Sequence, residues 1–389
     1  MNALIYLDNN ATTAVAPEVL EAMTPYFTEF YGNPSSIHAF GAQVSLAVQK
    51  AREQVAALLG AAPSEILFTS CGTESDNTAI QGILSASQDK KHIITTSVEH
   101  PAILQLCRHL DREGFDVTFL PVDSQGLLEP SQLEDAIRKD TALITVMWAN
   151  NETGVLSPVE EIAQIAAERG IPFHTDAVQA VGKIRIDLGQ TPVDLLSLSG
   201  HKLHAPKGVG VLYVRKGCPL EPLLRGGHQE QGRRAGTENV PSIVALGKAC
   251  ELALAQIEEE QTLVAEMRDH LERQILSRIP ETVRHGHPTR RLPNTSSIGF
   301  RSVEGESILL SLSRENIAAS SGSACSSGSL EPSHVLKAMS VDPSFLNGTV
   351  RFSLSRYNTR DQMDRTVSAL EPIIGRLREM SPFWPPPES

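Results

Sequence analysis

The 389-residue chain is poor in cysteine, poor in aromatic residues and free of long apolar runs. Its five cysteines form no CxxC pair, which argues against a disulfide framework and against a structural zinc site. No run reaches the roughly 18 apolar residues that a membrane-spanning helix needs. The first residues carry no basic group and meet an acid at Asp8, which is unlike a signal peptide. We therefore expect a cytoplasmic protein with reduced thiols, no metal and no membrane contact.

The formal net charge is −12, from 34 basic and 46 acidic residues. An acidic chain of this kind is not expected to carry a dedicated nucleic-acid surface. Hydrophobic residues make up 41% of the chain, which is enough for a full-sized core. At roughly 150 residues per domain, this length is typical of two or three domains.

From residue 65 onward, short apolar runs alternate with helical segments. Seven strands are predicted at residues 65–69, 92–98, 115–120, 142–148, 171–175, 195–198 and 209–214. Strands that are apolar on both faces and joined by helices predict an α/β fold, with a mainly parallel sheet covered on both sides.

The pattern changes after residue 240, where a helical stretch runs to about residue 279. Its charged middle, residues 258–260, is expected to be solvated. A helix near 304–312 between strands near 296–300 and 350–354 then predicts a smaller α+β domain. We place the large domain at residues 15–254 and the small domain at 1–14 and 255–389.

Ligands of open α/β sheets bind beyond the carboxyl ends of the strands, so the residues there are candidates for a site. Gly72 lets the backbone approach a ligand, and the helix start after it offers N–H groups suited to phosphate. Thr73 acting only as a helix cap is an equally good interpretation. Asp176, directly after another strand, can hold a protonated ring nitrogen or can cap a turn. Lys202 follows a third strand and suits Schiff-base chemistry, although most lysines are simply exposed.

Cys325 lies in the small, polar, glycine-rich stretch of residues 320–329 (SSGSACSSGS). A thiol in such a loop is accessible and can react as a thiolate. The other four cysteines stand in or beside apolar elements or in loops without such a composition, where cysteine usually acts as a small hydrophobic residue. A tolerated surface thiol is the competing interpretation for Cys325.

Several longer motifs are similar to one family. They are residues 6–13 (YLDNNATT), 32–36 (GNPSS), 199–202 (SGHK), 323–325 (SAC) and 350–355 (VRFSLS). On these motifs the chain resembles the cysteine desulfurases, class-V pyridoxal-phosphate enzymes of fold type I. Residues 69–76, 147–154 and 233–239 are most similar to the NifS type, which is associated with nitrogenase. On this resemblance the short tail after residues 381–384 (SPFW) is not expected to dock a scaffold protein in the way that the longer tail of IscS-type enzymes does.

The resemblance implies a set of residues that holds pyridoxal 5′-phosphate: Gly72, Thr73, His100, Asn151, Asp176, Gln179, Ser199, His201, Lys202 and Thr237. Lys202 would be the Schiff-base lysine, Asp176 would pair with the pyridine nitrogen and Gln179 would bond the ring hydroxyl. Thr237 would reach the phosphate of the neighbouring subunit, which implies a homodimer.

The resemblance also implies the reaction, the conversion of L-cysteine to L-alanine with transfer of sulfur to Cys325 as a persulfide. Asn151 and Arg351 would bind the substrate, and an arginine fork suits its carboxylate. His100 would stack on the ring and move protons, which makes Cys325, Lys202 and His100 the expected catalytic residues. An iron–sulfur scaffold protein is the expected sulfur acceptor.

Other functions stay open at this point. Within the fold they are a housekeeping iron–sulfur desulfurase, a selenocysteine lyase or an aminotransferase. A non-catalytic scaffold for sulfur assembly is a further possibility. From another class, four residues can be interpreted as metal ligands of a hydrolase: His174, Asp176, His201 and His204.

Overall fold

The computed structural model describes residues 3–87, 89–321 and 332–384. The strands in these ranges, β1 to β12 in chain order, are Ile5–Tyr6, Ile66–Thr69, His92–Thr96, Asp116–Leu120, Thr141–Thr145, Phe173–Asp176, Leu195–Ser199, Gly210–Val214, Thr282–His285, Thr295–Phe300, Ile317–Ala318 and Thr349–Ser353. The α-helices, α1 to α14, are Pro17–Met23, Pro25–Thr28, Ala39–Leu59, Gly72–Ala86, Pro101–Arg112, Pro130–Ala136, Val159–Glu168, Val240–Ala255, Ile257–Glu259, Ala265–Arg278, Gly305–Arg314, His334–Ala338, Pro343–Leu346 and Arg360–Glu379.

Seven strands form one sheet in the order β2-β8-β7-β6-β5-β3-β4. Strand β8 runs antiparallel to both of its neighbours, and the other pairs are parallel. Alternate residues face opposite layers because side chains alternate along a strand. Ile66 and Phe68 therefore pack in one core and Leu67 in another. The predicted α/β fold with a mainly parallel seven-stranded sheet is confirmed.

A second hydrophobic core lies around a three-stranded antiparallel sheet of order β12-β10-β9. Ile298 of β10 and Phe352 of β12 are fully buried there, together with Ile5 of β1. Strand β1 pairs in parallel with β11, so the start of the chain packs against its last third. The domain boundaries after residues 14 and 254 stay a prediction.

The long helical stretch after residue 240 is broken. Helix α8 ends at Ala255, and a π-helical segment, Glu260–Val264, separates the short α9 from α10. The expectation that residues 258–260 are all solvated is wrong for Glu260, which is 6% exposed. Burial raises the pKa of its carboxyl, and the charge of Lys183 opposes that shift.

In the part of the chain that the structure describes, no single helix is both long enough and apolar enough to span a membrane. The segments Val240–Ala255 and Ile257–Arg278 reach that length and hydropathy only when they are taken together, and a bend of 59° separates them.

Candidate active site

A cavity of about 240 Å³ lies at the carboxyl ends of the parallel strands. Ten of the residues predicted for the site line it: Gly72, Thr73, His100, Asn151, Asp176, Gln179, Ser199, His201, Lys202 and Arg351. They come from turns after five different strands and from β12. The fold brings them together because parallel strands present their carboxyl ends at one edge of the sheet.

Lys202 ends the 3-10 turn Gly200–Lys202, which directly follows β7. Its ammonium group donates hydrogen bonds to the backbone carbonyls of Asn10, at 2.5 Å, and Ala11, at 2.6 Å. The N-terminal segment therefore forms one wall of the cavity and holds the lysine amine inside it.

Asp176 is the last residue of β6 and is buried. Its Oδ1 accepts a hydrogen bond from the Val178 amide at 2.9 Å, so the aspartate also caps the turn that follows. Burial raises the pKa of Asp176 to about 6, and the Val178 hydrogen bond and the Lys202 charge oppose that shift. A cationic group placed against this carboxyl would therefore stabilise its ionised form.

The start of α4 offers backbone N–H groups to the cavity. Cys71 is the N-cap residue, and it makes no capping hydrogen bond through its side chain. The interpretation of Thr73 as only the cap of this helix is therefore wrong. A Cβ on Gly72 would lie 2.9 Å from Val178 Cγ2, so the close approach here requires glycine. The uncapped helix start suits a phosphate group.

His100 is the N-cap residue of α5, and its Nδ1 accepts a hydrogen bond from the Ala102 amide at 3.2 Å. Burial, and then the charges of Lys202 and His334, lower the pKa of His100 to about 4. The imidazole is therefore neutral near pH 7. Because Nδ1 accepts, the proton is on Nε2.

Arg351, in β12, is 2% exposed and reaches the cavity from the second core. Its Nη1 donates to the Asn151 carbonyl and its Nη2 to Asp8 Oδ1, each at 2.9 Å. Its Nε has no hydrogen-bond partner among the described residues. The guanidinium is thus held in place on two sides, and Nη1 and Nη2 each retain a second N–H that can donate to a ligand.

Among the described residues, one that was predicted for the site does not line the cavity. Thr237 is exposed and lies beside Thr69 and Arg234 in a neighbouring cleft. Arg234 pairs at 2.8 Å with Glu74, in the first turn of α4. Cys325 lies outside the described residues, so its predicted role stays a prediction.

Sequence reasoning missed several residues that line the cavity: Asn10, Ala11, Cys71, Asp76, Met147, Ala149 and Val178. Asn10 had a usable signal, because a polar Asp-Asn-Asn triplet directly follows the apolar start of the chain. Asp76 had none, since a polar residue inside a helix is usually exposed. It is buried, and its Oδ1 has no hydrogen-bond partner in the described structure.

The metal-ligand interpretation finds no support in the described ranges, where no group of three or more His, Cys, Asp and Glu side chains could hold a metal ion. His174 is fully buried, and its ring nitrogens lie 2.8 Å from Thr145 Oγ1 and 2.9 Å from Ser197 Oγ. Both ring nitrogens are therefore engaged in hydrogen bonds with hydroxyl groups.

The residues in the cavity fit pyridoxal phosphate. Lys202 provides an amine for its aldehyde, buried Asp176 a carboxyl for its ring nitrogen, and the uncapped helix start at Gly72 the N–H groups for its phosphate. Ser199 and His201 line the cavity beside them as further hydrogen-bonding groups. The apolar side chains of Val178 and Ala149 face the same space.

Comparisons with known proteins agree with this geometry. The Aminotransferase class-V family matches residues 5–366. The cysteine desulfurase of Nostoc sp. and the cysteine desulfurase NifS of Azotobacter vinelandii are each 58% identical over 381 residues, covering 98% of this chain and 95% of theirs. A solved structure described as a NifS-like protein superimposes with a TM-score of 0.91 at 40% identity, covering 96% of this chain and 100% of that chain. The chain therefore belongs to the cysteine desulfurases of the class-V aminotransferase family, which are pyridoxal-phosphate-dependent enzymes.

Proposed function

We propose that the protein converts L-cysteine to L-alanine and keeps the sulfur as a persulfide on one of its own thiols. The observation that carries the proposal is the single cavity shared by Lys202, Asp176 and Arg351. An amine, a carboxyl for a ring nitrogen and a guanidinium for a carboxylate are the groups that an amino-acid substrate and this cofactor require.

Bound pyridoxal phosphate supplies an electron sink for the negative charge that develops at the substrate Cα. The protein residues do the rest. Lys202 takes the proton from Cα and returns it, because its amine lies inside the cavity. Arg351 holds the substrate carboxylate and thereby orients Cα toward the lysine. His100 lines the cavity as a neutral imidazole, so its Nε2 proton can be donated to a bound ligand without a prior change in the charge of the ring.

The sulfur step balances without an external oxidant. The Cβ–S bond of cysteine breaks, an S–S bond forms with an enzyme thiolate, and Cβ takes up a proton. Alanine leaves and the enzyme keeps the persulfide. We assign the accepting thiol to Cys325, on its sequence context.

Of the four cysteines that the structure describes, three are poor candidates for the sulfur-accepting thiol. Burial raises the pKa of Cys107, Cys218 and Cys250 to about 12 each, so they are thiols at neutral pH. Cys71 lines the cavity and is partly exposed, and it is the thiol that a test must separate from Cys325.

The physiological setting is also part of the proposal. Similarity to the NifS protein of Azotobacter vinelandii supports a role in nitrogen fixation, with an iron–sulfur scaffold protein as sulfur acceptor. Exposed Thr237 supports a homodimer in which each subunit completes the other's phosphate site. The odd number of cysteines and the absence of a CxxC pair in the sequence support a location where thiols stay reduced, which is the cytoplasm.

Mass spectrometry after brief exposure to L-cysteine tests the proposal. The wild type should gain one sulfur atom on the peptide that contains Cys325 and release alanine. Cys71→Ser should gain the same sulfur, whereas Cys325→Ser should bind cysteine and gain none. Lys202→Ala should neither bind the cofactor covalently nor turn over. Sulfur found on Cys71, or none on any thiol of the active wild type, would reject the assignment.

A further inference from the structure

Lys183 is a buried lysine beside the cavity to which neither the sequence motifs nor the mechanism assigns a role. It is 7% exposed and lies seven residues after Asp176, beyond the turn that carries Gln179. Its ammonium group donates to the Gln179 carbonyl at 2.9 Å and to Gln179 Oε1 at 3.2 Å. A lysine is rarely buried this fully unless its charge has a function or a partner.

The contacts of Lys183 determine the orientation of the Gln179 amide. An ammonium group can only donate, so the atom that faces it must be Oε1. Nε2 then faces the Asn10 carbonyl, to which it donates at 3.0 Å. A carbonyl can only accept, so both ends of the amide are assigned without ambiguity. One Nε2 hydrogen remains for a ligand in the cavity.

The same contacts connect two lysine side chains. Burial lowers the pKa of Lys183 to about 7; the charge of Glu260 opposes that shift, and the charges of Lys202 and Arg351 add to it. The Asn10 carbonyl that accepts from Gln179 also accepts from Lys202 at 2.5 Å. One side-chain amide and one carbonyl therefore separate Lys183 from Lys202, and each charge disfavours the other. Several segments carry charged groups that interact with Lys183. The charges of Glu260, Lys202 and Arg351 affect the pKa of Lys183, and its own charge lowers the pKa of His201 and of His204.

Glu260 is the acid in this group. Its carboxyl is buried, which raises its pKa, and the Lys183 ammonium and then Arg356 oppose that shift. It stands at the first position of the π-helical segment Glu260–Val264, and π-helical segments inside helices are frequent at functional sites. The buried acid and the buried lysine compensate each other across two segments that are far apart in sequence.

We infer that Lys183 is a positioning residue, which fixes the Gln179 amide toward the ring hydroxyl of the cofactor and, across the Asn10 carbonyl that Gln179 and Lys202 share, places a second positive charge near Lys202. The inference rests on the proposed function in one respect, because the bond between Gln179 and the ring hydroxyl comes from the family resemblance.

The test compares cofactor binding and colour in purified variants, independently of turnover. Lys183→Met keeps an unbranched side chain that is one atom shorter and removes the charge. It should weaken binding of pyridoxal phosphate to the apoprotein at least tenfold. It should also raise the pH midpoint of the cofactor's absorption change by about one unit, because a neighbouring cation no longer opposes protonation at Lys202.

Two variants separate positioning from stability. Lys183→Arg keeps the charge and should keep the midpoint within a few tenths of a unit. In a Gln179→Ala background, Lys183→Met should weaken cofactor binding no further, because its effect on binding runs through that amide. Lys248→Met removes a surface lysine that pairs with Glu251 and should leave both measurements unchanged.

If Lys183→Met fails to fold, the double variant Lys183→Met/Glu260→Gln, which removes both buried charges, carries the test of cofactor affinity. Lys183→Arg then carries the test of the midpoint. A wild-type midpoint and affinity in the soluble charge-removing variant, or a Lys183→Arg midpoint shifted as far as one unit, overturns the inference. A wild-type protein that forms no coloured complex with pyridoxal phosphate overturns the proposed function instead.

Discussion

Arg351 Nη2 donates to Asp8 Oδ1 at 2.9 Å, so the arginine proposed to bind the substrate already shares its charge with a carboxylate from the start of the chain. The arginine is buried and Asp8 is partly exposed. Asp8 therefore holds the guanidinium in place from the solvent side and leaves Nε without a partner in the described structure. This relationship makes the two residues separable by mutation.

Arg351→Lys should raise the KM for L-cysteine roughly 10- to 100-fold, the equivalent of one hydrogen bond to a charged group. Lysine keeps the charge but cannot present two parallel N–H groups to a carboxylate. Asp8→Asn should raise KM by a smaller factor, because a neutral acceptor still contacts Nη2. Steady-state alanine formation measures both. Equal KM values for Arg351→Lys and the wild type would contradict the assignment.

Gly72→Ala should weaken cofactor binding about tenfold, because the new Cβ would lie 2.9 Å from Val178 Cγ2 and push the start of α4 out of place. Titration of the apoprotein with pyridoxal phosphate measures the effect. Gly375→Ala in α14 is the matched control, since a Cβ there meets nothing within 4 Å. It should leave binding unchanged and stabilise the helix by up to about 1 kcal/mol.

Glu99→Gln should be tolerated at pH 7 and should stabilise the protein at pH 9. Glu99 is fully buried, and burial raises its pKa to about 8 against the hydrogen bonds from Thr96 and Met147. A raised folded-state pKa contributes stability that is complete below the ordinary value of about 4.5 and is lost as the pH rises through 8. Urea unfolding of both proteins at pH 7 and pH 9 checks this. A parallel loss of stability in the variant would show that another group is responsible.

His174→Gln should reduce the loss of stability on acidification. Burial lowers the pKa of His174 to about 3, so its stabilisation is present above the unfolded-state value of about 6.5 and is lost as the pH falls toward 3. Burial also raises the pKa of Asp76, whose Oδ1 lies 3.7 Å from His174 Nε2.

The loss from His174 should be about 1.4 kcal/mol for each pH unit below 6.5. Urea unfolding of the wild type and the variant between pH 7 and pH 5 measures the slope. His228→Gln, at an exposed position, is the control and should keep the wild-type slope. An unchanged slope in His174→Gln would mean that the ring is not the group that titrates.

Much of the cofactor site was predictable because each of its residues follows a strand of a recognisable α/β pattern. Lys202, Asp176 and Gly72 were each assigned to a strand end, and all three line the cavity. Asp76 and Lys183 were not predicted. A charged residue in a helix or loop is normally exposed, and nothing local in the sequence indicates that these two are buried.

The acidic stretch at residues 258–260 shows the same limit. By composition it is a solvated helix surface, and Glu258 is indeed exposed. Glu260 is buried where a π-helical segment begins, and the charge of Lys183, which lies far away in sequence, acts on its carboxyl. Only the packing of the two segments could decide this.

The sequence alone determined the alternation of strands and helices, the sheet that follows from it, and the strand ends that carry the cofactor residues, because hydrophobic periodicity and turn residues act over a few positions. The tertiary structure decided which distant groups compensate one another. The pairing of Arg351 with Asp8, and the Asn10 carbonyl that Gln179 and Lys202 share, depend on groups brought together from distant parts of the chain and removed from water, where their interactions become strong enough to fix a position.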